Sequence, residues 1–440
     1  MQREPADLIV NARWVIPVDA DDSVFEHHAV AVRDGRILAV LPQEAARACY
    51  APAETIELAD HALIPGLVNA HTHAAMSLMR GIADDLPLMR WLQEAIWPTE
   101  GRHVSESFVR DGTLLAAAEM LASGTTTCND MYFHPDAAAE AFDEAGIRAV
   151  IGVTVLDFPT PYAASADEYF RKGLEARDRW RRHPLIEFSI APHAPYTASD
   201  ETLARAASLA AELDCGLHIH VHETATEIEE SLARHRARPL ARLAGLGLLG
   251  RGFIGVHAVH LDDTDIELLA RNACSTVHCP ASNMKLASGI APVTALRRAG
   301  VTVALGTDGA ASNNRLDLFA EMRQAALLAK VHTSDAAALA AREVLRMATL
   351  DGARALGLDD RVGSIEAGKC ADLCAVDLSG IATQPCYDPV SHLVYAAGRE
   401  QVSHVWVNGR CRVANGSRLL QRNDTELMTT ARMWQSRLKS

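Results

Sequence analysis

Histidines spaced two apart at the ends of apolar runs are the first chemistry this chain offers. His71-Thr72-His73 follows Pro65-Gly66-Leu67-Val68-Asn69-Ala70. An apolar run entered through Pro-Gly reads as a strand, and residues two apart on a strand share a face. Both imidazoles can therefore aim at one point, which is how a metal site begins. A second set lies in Leu217-His218-Ile219-His220-Val221-His222-Glu223, where three imidazoles alternate with apolar residues on one face. Two later runs end in Val256-His257 and in Leu305-Gly306-Thr307-Asp308-Gly309. Histidines from two strands and an aspartate from a third suit a borderline divalent cation such as zinc or iron(II). Each residue also has an ordinary structural alternative. His218, His222 and His257 could be hydrogen-bonded core imidazoles, and Asp308 a turn residue before glycine. Those alternatives would have to coincide at four strand ends.

The elements that must carry these residues alternate from Ile64 to Ala367. Strand-like runs are Leu67–Ala70, Thr125–Cys128, Ala149–Val155, Ile186–Ala191, Gly216–Val221, Phe253–Val256, Cys274–Val277 and Val301–Leu305. Helical stretches between them include Ser105–Ser123, Asp136–Ala145, Asp200–Leu213, Asp262–Asn272, Ile290–Ala299 and Leu316–Lys330. Such alternation over roughly 300 residues predicts a (β/α)8 TIM barrel, with catalytic residues at the C-terminal ends of its strands. A doubly wound open sheet competes, but no glycine-rich phosphate loop follows the first strand. Residues 1–63 read as short strands, Asp7–Val10, Trp14–Val18, His28–Val32 and Arg36–Val40, the last two joined by an Asp34-Gly35 turn. Residues 368–440 return to strands without helices between them: Ala371–Val376, His392–Tyr395 and Val402–Val407, then an Asn408-Gly409 turn and a polar helical tail from Leu419. The expected organisation is thus a barrel over 64–367 and a small β-sandwich formed jointly by the two terminal segments.

Bulk composition narrows the function. A formal net charge of −14 argues against nucleic acid and anionic membranes as partners. Nine cysteines without a C-x-x-C pair read as reduced, buried thiols. Met1-Gln2-Arg3-Glu4-Pro5 leads into no apolar signal region, and no window is apolar enough to span a membrane, so a cytoplasmic location is expected.

Taken in order, Pro65–His73, His220-x-x-Glu223, His257 and Gly306-Thr307-Asp308-Gly309 resemble the amidohydrolase superfamily. Within it the chain resembles the triazine-hydrolase-like branch, and most closely the methylthioadenosine/S-adenosylhomocysteine deaminases. Met76–Gly81, Trp97-Pro98-Thr99-Glu100, Ala191–Tyr196 and His278-Cys279-Pro280-Ala281-Ser282-Asn283 extend the likeness over nearly the whole chain. The resemblance implies metal ligation by His71, His73, His220 and Asp308, and so selects His220 among the strand-five histidines. It makes Glu223 the proton-shuttling carboxylate and places His257 beside the attacking water. Glu100 and His193 become substrate contacts, with Glu100 on the ribose hydroxyls. One Zn2+ per subunit is implied, with Fe2+ or Mn2+ as alternatives. A homo-oligomer is compatible with the resemblance, though no interface is legible. The chain departs from the family at Val153–Tyr162, which lacks the arginines that help hold the sugar-side substituent. Arg148 lies too early, and Phe158 or Tyr162 are apolar candidates in their place.

The implied activity is hydrolytic deamination of an adenosine-type nucleoside: 5′-methylthioadenosine, S-adenosylhomocysteine or adenosine. The rival is the same scaffold acting on guanine, an oxidised purine, a pterin or an s-triazine. A non-catalytic relative should have lost ligands, and none is missing. No lysine lies between Lys172 and Lys285, so the bridging lysine of binuclear relatives is absent and one metal is favoured. No Gly-x-Ser-x-Gly elbow supports a serine nucleophile. Cys128 and Cys279, although close to strand ends, read as structural thiols.

Overall fold

The computed structural model describes residues 3–439, whose strands form two eight-stranded sheets. The chain enters through β1 (Glu4–Val15), β2 (Phe25–Arg33), β3 (Arg36–Pro42) and β4 (Tyr50–Pro65). β1 joins the two short strands expected there without a break but stops at Val15, before Ile16–Val18 of the second. β4 runs parallel to β1 after the short helix Gln43–Cys49 and was not anticipated. Half-exposed and interrupted by Pro52, Glu54 and Asp60, it lacks the apolar alternation of a buried strand.

The eight barrel strands follow: β5 (Leu67–Thr72), β6 (Thr125–Asp130), β7 (Arg148–Val155), β8 (Ile186–Pro192), β9 (Leu217–Val221), β10 (Phe253–His257), β11 (Ser275–His278) and β12 (Thr302–Leu305). Each coincides with an expected run. Their ladders are parallel throughout. Helices cover them, so β5, β6, β7, β9, β10 and β11 are buried at every residue.

Side chains help close the barrel between β12 and β5. Asn69 donates to Thr307 Oγ1 at 2.8 Å and accepts from the Thr307 amide at 3.0 Å, while the Asp308 amide donates to the His71 carbonyl. Gly306 permits the approach, because a Cβ there would meet His71 Cβ at 2.9 Å and Val277 at 2.8 Å.

β13 (Leu373–Asp377), β14 (Val402–Val407), β15 (Arg410–Ala414) and β16 (Ser417–Arg418) then complete the first sheet, in the order β16-β15-β14-β13-β4-β1-β2-β3. Both ends of the chain thus build one mixed sheet. It curves around a shared core of Val10, Val30 and Ile37 from one wing and Leu373, Ala375 and Trp406 from the other. The expectation of strand at His392–Tyr395 is overturned: Pro389–Tyr395 is helical. Asp388 caps it by accepting from the Val390 amide at 2.9 Å, Pro389 starts it, and Val390, Leu393 and Val394 bury one helical face. Among the described residues, no helix is long and apolar enough to cross a membrane.

Candidate metal and active site

Five side chains from four strand ends converge at the mouth of the barrel. His71 and His73 each set Nε2 against Asp308 Oδ1, at 3.3 and 3.2 Å. His220 brings its Nε2 to 3.3 Å from that of His71. Donor atoms of His71, His220 and His257 lie within 4.8 Å of one another, as do those of His71, His73 and Asp308. In β9, His220 faces this centre. His218 lies one layer deeper, its Nε2 3.0 Å from His71 Nδ1. His222 turns away, accepting from the Leu240 amide and facing the His260 carbonyl.

The donor set fits a divalent cation on tautomer and charge. A carbonyl only accepts, so His73 Nδ1–H donates to Met131 O at 2.5 Å and His220 Nδ1–H to His193 O at 2.7 Å. With Nδ1 committed to a backbone carbonyl, each ring turns its Nε2 to the centre. Burial holds the His71 imidazole down at about 4 and that of His220 well below its usual value, so neither protonates at neutral pH. Burial pushes His73 down too, but the facing Asp308 carboxylate more than offsets this and lifts it to about 9. Burial raises Asp308, yet hydrogen bonds from His71 and His73 outweigh that and hold it well below the carboxylate range. A proton is thus gripped where a metal cation would take its place.

Asp308 is fixed from every side. Ser282 and Ser312 donate to Oδ2 at 2.6 and 2.7 Å, and the Gly309 amide donates to Oδ1 at 2.8 Å. Its backbone is left-handed, with φ of +61°, as is that of His257 at +73°. Such conformations cost non-glycine residues roughly 1–3 kcal/mol and persist where surrounding structure imposes them.

Glu223 and His257 face each other across the centre, Oε2 to Nε2, at 3.8 Å. Burial pushes the Glu223 carboxyl up, towards the protonated form. Its backbone is anchored by Glu227, which accepts from the amides of His222 and Glu223 at 3.0 and 2.9 Å. His257 Nδ1 lies 2.9 Å from Asn283 Oδ1. A cavity of ≈ 830 Å³, mouth included, opens above these groups. Glu100 lines it from the helix Trp97–His103 and accepts from the Tyr132 hydroxyl at 2.7 Å; burial pushes its carboxyl up to about 7. His193 also lines it, its imidazole lowered by burial to about 3 and hence neutral.

His73, Glu100, His193, His220, Glu223, His257 and Asp308 therefore line one cavity, and His71, fully buried, lies behind its floor against Asp308. Phe158 lines it as well, whereas Tyr162 lies outside, beside Phe133 and Tyr169. Arg148 is bound elsewhere, to Asp372 at 3.2 Å. Cys128 and Cys279 are fully buried, and burial pushes both thiols well up.

His218 takes the hydrogen-bonded core position offered for it, while Asn129, Asp130, Tyr132, Glu227 and Ser312 escaped sequence reasoning. Asn129 donates to the Ala70 carbonyl and contacts His218 Nδ1 at 3.2 Å. Asp130 accepts the Ala74 amide at 2.7 Å. The available signal was two polar residues, Asn129-Asp130, at the end of the second barrel strand.

Comparison with known proteins agrees. The profile of the Amidohydrolase family matches residues 62–412. A 5-methylthioadenosine/S-adenosylhomocysteine deaminase of Saccharophagus degradans is 49% identical over 439 residues, covering 100% of this chain and 98% of its own. One from Teredinibacter turnerae is 46% identical over 98% of each. The crystal structure of an adenosine deaminase from Xanthomonas campestris with bound zinc superposes with a TM-score of 0.98 at 51% identity, over 100% of both chains. Atrazine chlorohydrolase from Arthrobacter aurescens, at 24% identity and a TM-score of 0.90 over 97% and 99%, shares the fold. The chain belongs to the amidohydrolase superfamily and is closely related to its methylthioadenosine/S-adenosylhomocysteine deaminases.

Proposed function

We propose that this protein is a zinc-dependent aminohydrolase that converts an adenosine-type nucleoside to the inosine-type product and ammonia. The observation that carries the reading is one cavity set over a His-His-His-Asp cluster and lined by Glu223, whose carboxyl burial pushes up, and by a half-buried Glu100. His71, His73, His220 and Asp308 would hold the ion. A zinc ion, when bound, acts as a Lewis acid that makes hydroxide available at neutral pH.

Glu223, biased towards its protonated form, donates to the ring nitrogen next to C6 and makes that carbon electrophilic. With Nδ1–H given to Asn283, His257 turns a free Nε2 towards the attacking water and orients it. Asp308 accepts one water proton and passes it to the departing amine, so ammonia leaves as the C6–N bond breaks, and the remaining C6 hydroxyl proton returns to Glu223 as the C6=O bond forms. The neutral His193 contacts the purine edge. Glu100, with one oxygen braced by Tyr132, accepts hydrogen bonds from the ribose diol.

Glu100 favours a nucleoside over a free base or a triazine, neither of which has a diol to hold. The test is ammonia release by zinc-loaded protein from adenosine and 5′-methylthioadenosine against adenine, guanine and an s-triazine. Turnover confined to the nucleosides is expected, and Asp308→Asn should reduce it by at least ~10²-fold. Turnover confined to the bases or the triazine would overturn the reading.

A further inference from the structure

Near Glu223 the main cavity shares a wall with a second one. This smaller cavity, ≈ 270 Å³ with its mouth included, is lined from the helix Ala225–His235 by Glu227, Glu230, Ser231 and Arg234. Tyr196 lines both cavities, so its ring belongs to the partition between them. After burial, the charges that push its phenol well up are Glu223, Glu227 and Glu230, which puts the ring beside the Glu223 carboxyl.

The partition is held from behind. Arg242, its side chain 7% exposed, donates to the carbonyls of Pro195 and Ala198 at 2.7 and 3.2 Å and pairs with Asp200 at 2.7 Å. Within the loop, the Thr197 amide donates to the Ala194 carbonyl and the Ala194 amide to Thr197 Oγ1, both at 3.1 Å. The Tyr196 ring stands edge to face on His193, with centroids 6.1 Å apart. Its hydroxyl takes no part. The other hydroxyls on the main cavity, those of Tyr132, Thr154, Thr160 and Ser312, are hydrogen-bonded. That of Tyr196 has no partner among the described residues. Backbone and packing therefore place the ring, and such support is what makes a wall selective.

In a purine, N1 lies between C6 and C2. With C6 over the His-His-His-Asp cluster and N1 at Glu223, C2 is carried past Glu223 and away from the centre. An adenine ring has only a hydrogen there. Resting on the deaminase reading, we infer that Tyr196 is a specificity-determining residue that closes the cavity against C2. It admits a 6-aminopurine bare at C2 and excludes one with a 2-substituent, for which the space lies in the second cavity, beyond the ring. A clamped aromatic wall rejects an added group because it cannot yield without strain.

The test compares kcat/KM for adenosine, 2-aminoadenosine and 2-chloroadenosine on the zinc-loaded enzyme and on its Tyr196→Ala and Tyr196→Phe variants. The amino group donates electrons to the ring and chlorine withdraws them, so a loss shared by both reports size. Both should fall about 10–200-fold below adenosine, the range for one extra group in a tight pocket. Tyr196→Ala joins the two cavities and should narrow both gaps at least ~10-fold. Tyr196→Phe keeps the ring and should leave them within about threefold of the wild type. Either 2-substituted nucleoside turned over as well as adenosine by the wild type would overturn the assignment. So would gaps that Tyr196→Ala leaves in place or that Tyr196→Phe closes. If circular dichroism shows Tyr196→Ala unfolded, Tyr196→Leu makes the opening instead and carries the same expectation. Failure of the wild type on adenosine itself would sink the deaminase reading, not the partition alone.

Discussion

Glu100 is held between two demands. Burial favours its neutral form up to about pH 7, yet only the carboxylate can accept both hydroxyls of a ribose diol. As the pH falls through 7 the free enzyme protonates Glu100, so kcat/KM for nucleosides should fall on the acid side. Glu100→Gln should remove that limb and raise KM about 10–100-fold with kcat little changed, as expected for loss of a charged hydrogen bond. Steady-state kinetics from pH 5 to 9 checks both. Asn283 acts at one remove, through the His257 ring it orients at 2.9 Å. Asn283→Ala should lower kcat about 10–100-fold with zinc content unchanged, read by metal analysis beside activity. The converging histidines and Asp308 were visible in the sequence because they sit two apart on strands or at strand ends, where period fixes direction, while the choice of His220 within β9 came from the family resemblance. Their supports were not. His218 had the same alternation as His220 in β9, and only three-dimensional depth separates the one behind His71 from the one beside it.

At the scale of elements, the barrel is tied to the other sheet by a buried ion pair. Arg148 begins β7, and its guanidinium spans Asp372 Oδ1 and Oδ2 at 3.2 and 3.3 Å; the two side chains are 2% and 1% exposed. Asp372, just before β13, also accepts from the Asn408 amide at 2.8 Å. Arg148→Met strands a buried carboxylate and should cost about 3–5 kcal/mol, whereas adding Asp372→Asn should recover much of it. Urea unfolding of the three proteins measures this. Long-range pairs of this kind have no sequence period, and neither does β4, whose exposed face hides the alternation that marks a strand. Most barrel strands were legible because burial on both faces favours short runs rich in apolar and β-branched residues, as in Ala149–Val155 and Val301–Leu305. At Pro389–Tyr395 a short apolar run of the same appearance became helix, with the decision lying in the Asp388-Pro389 start.

For the molecule as a whole, the metal cluster links strand ends that are far apart in sequence, from His71 to Asp308, so an ion bound there favours the folded state over the unfolded. Chelation should lower the melting temperature and abolish activity, and zinc should restore both. The stabilisation should reach about 4 kcal/mol at a thousandfold excess over Kd. The shared sheet carries a different consequence, for synthesis. The edge of β4 pairs with β13, which leaves the ribosome roughly 300 residues later; at ordinary rates of translation that is a wait of about 15–60 s. Through that interval the His61–Pro65 end of β4 has no partner along one side, with Leu63 and Ile64 bared where Ala375 and Cys374 will later lie. Nascent chains should therefore engage holding chaperones until the last strands emerge, and slowing translation should cost more soluble enzyme than slowing refolding of the finished chain.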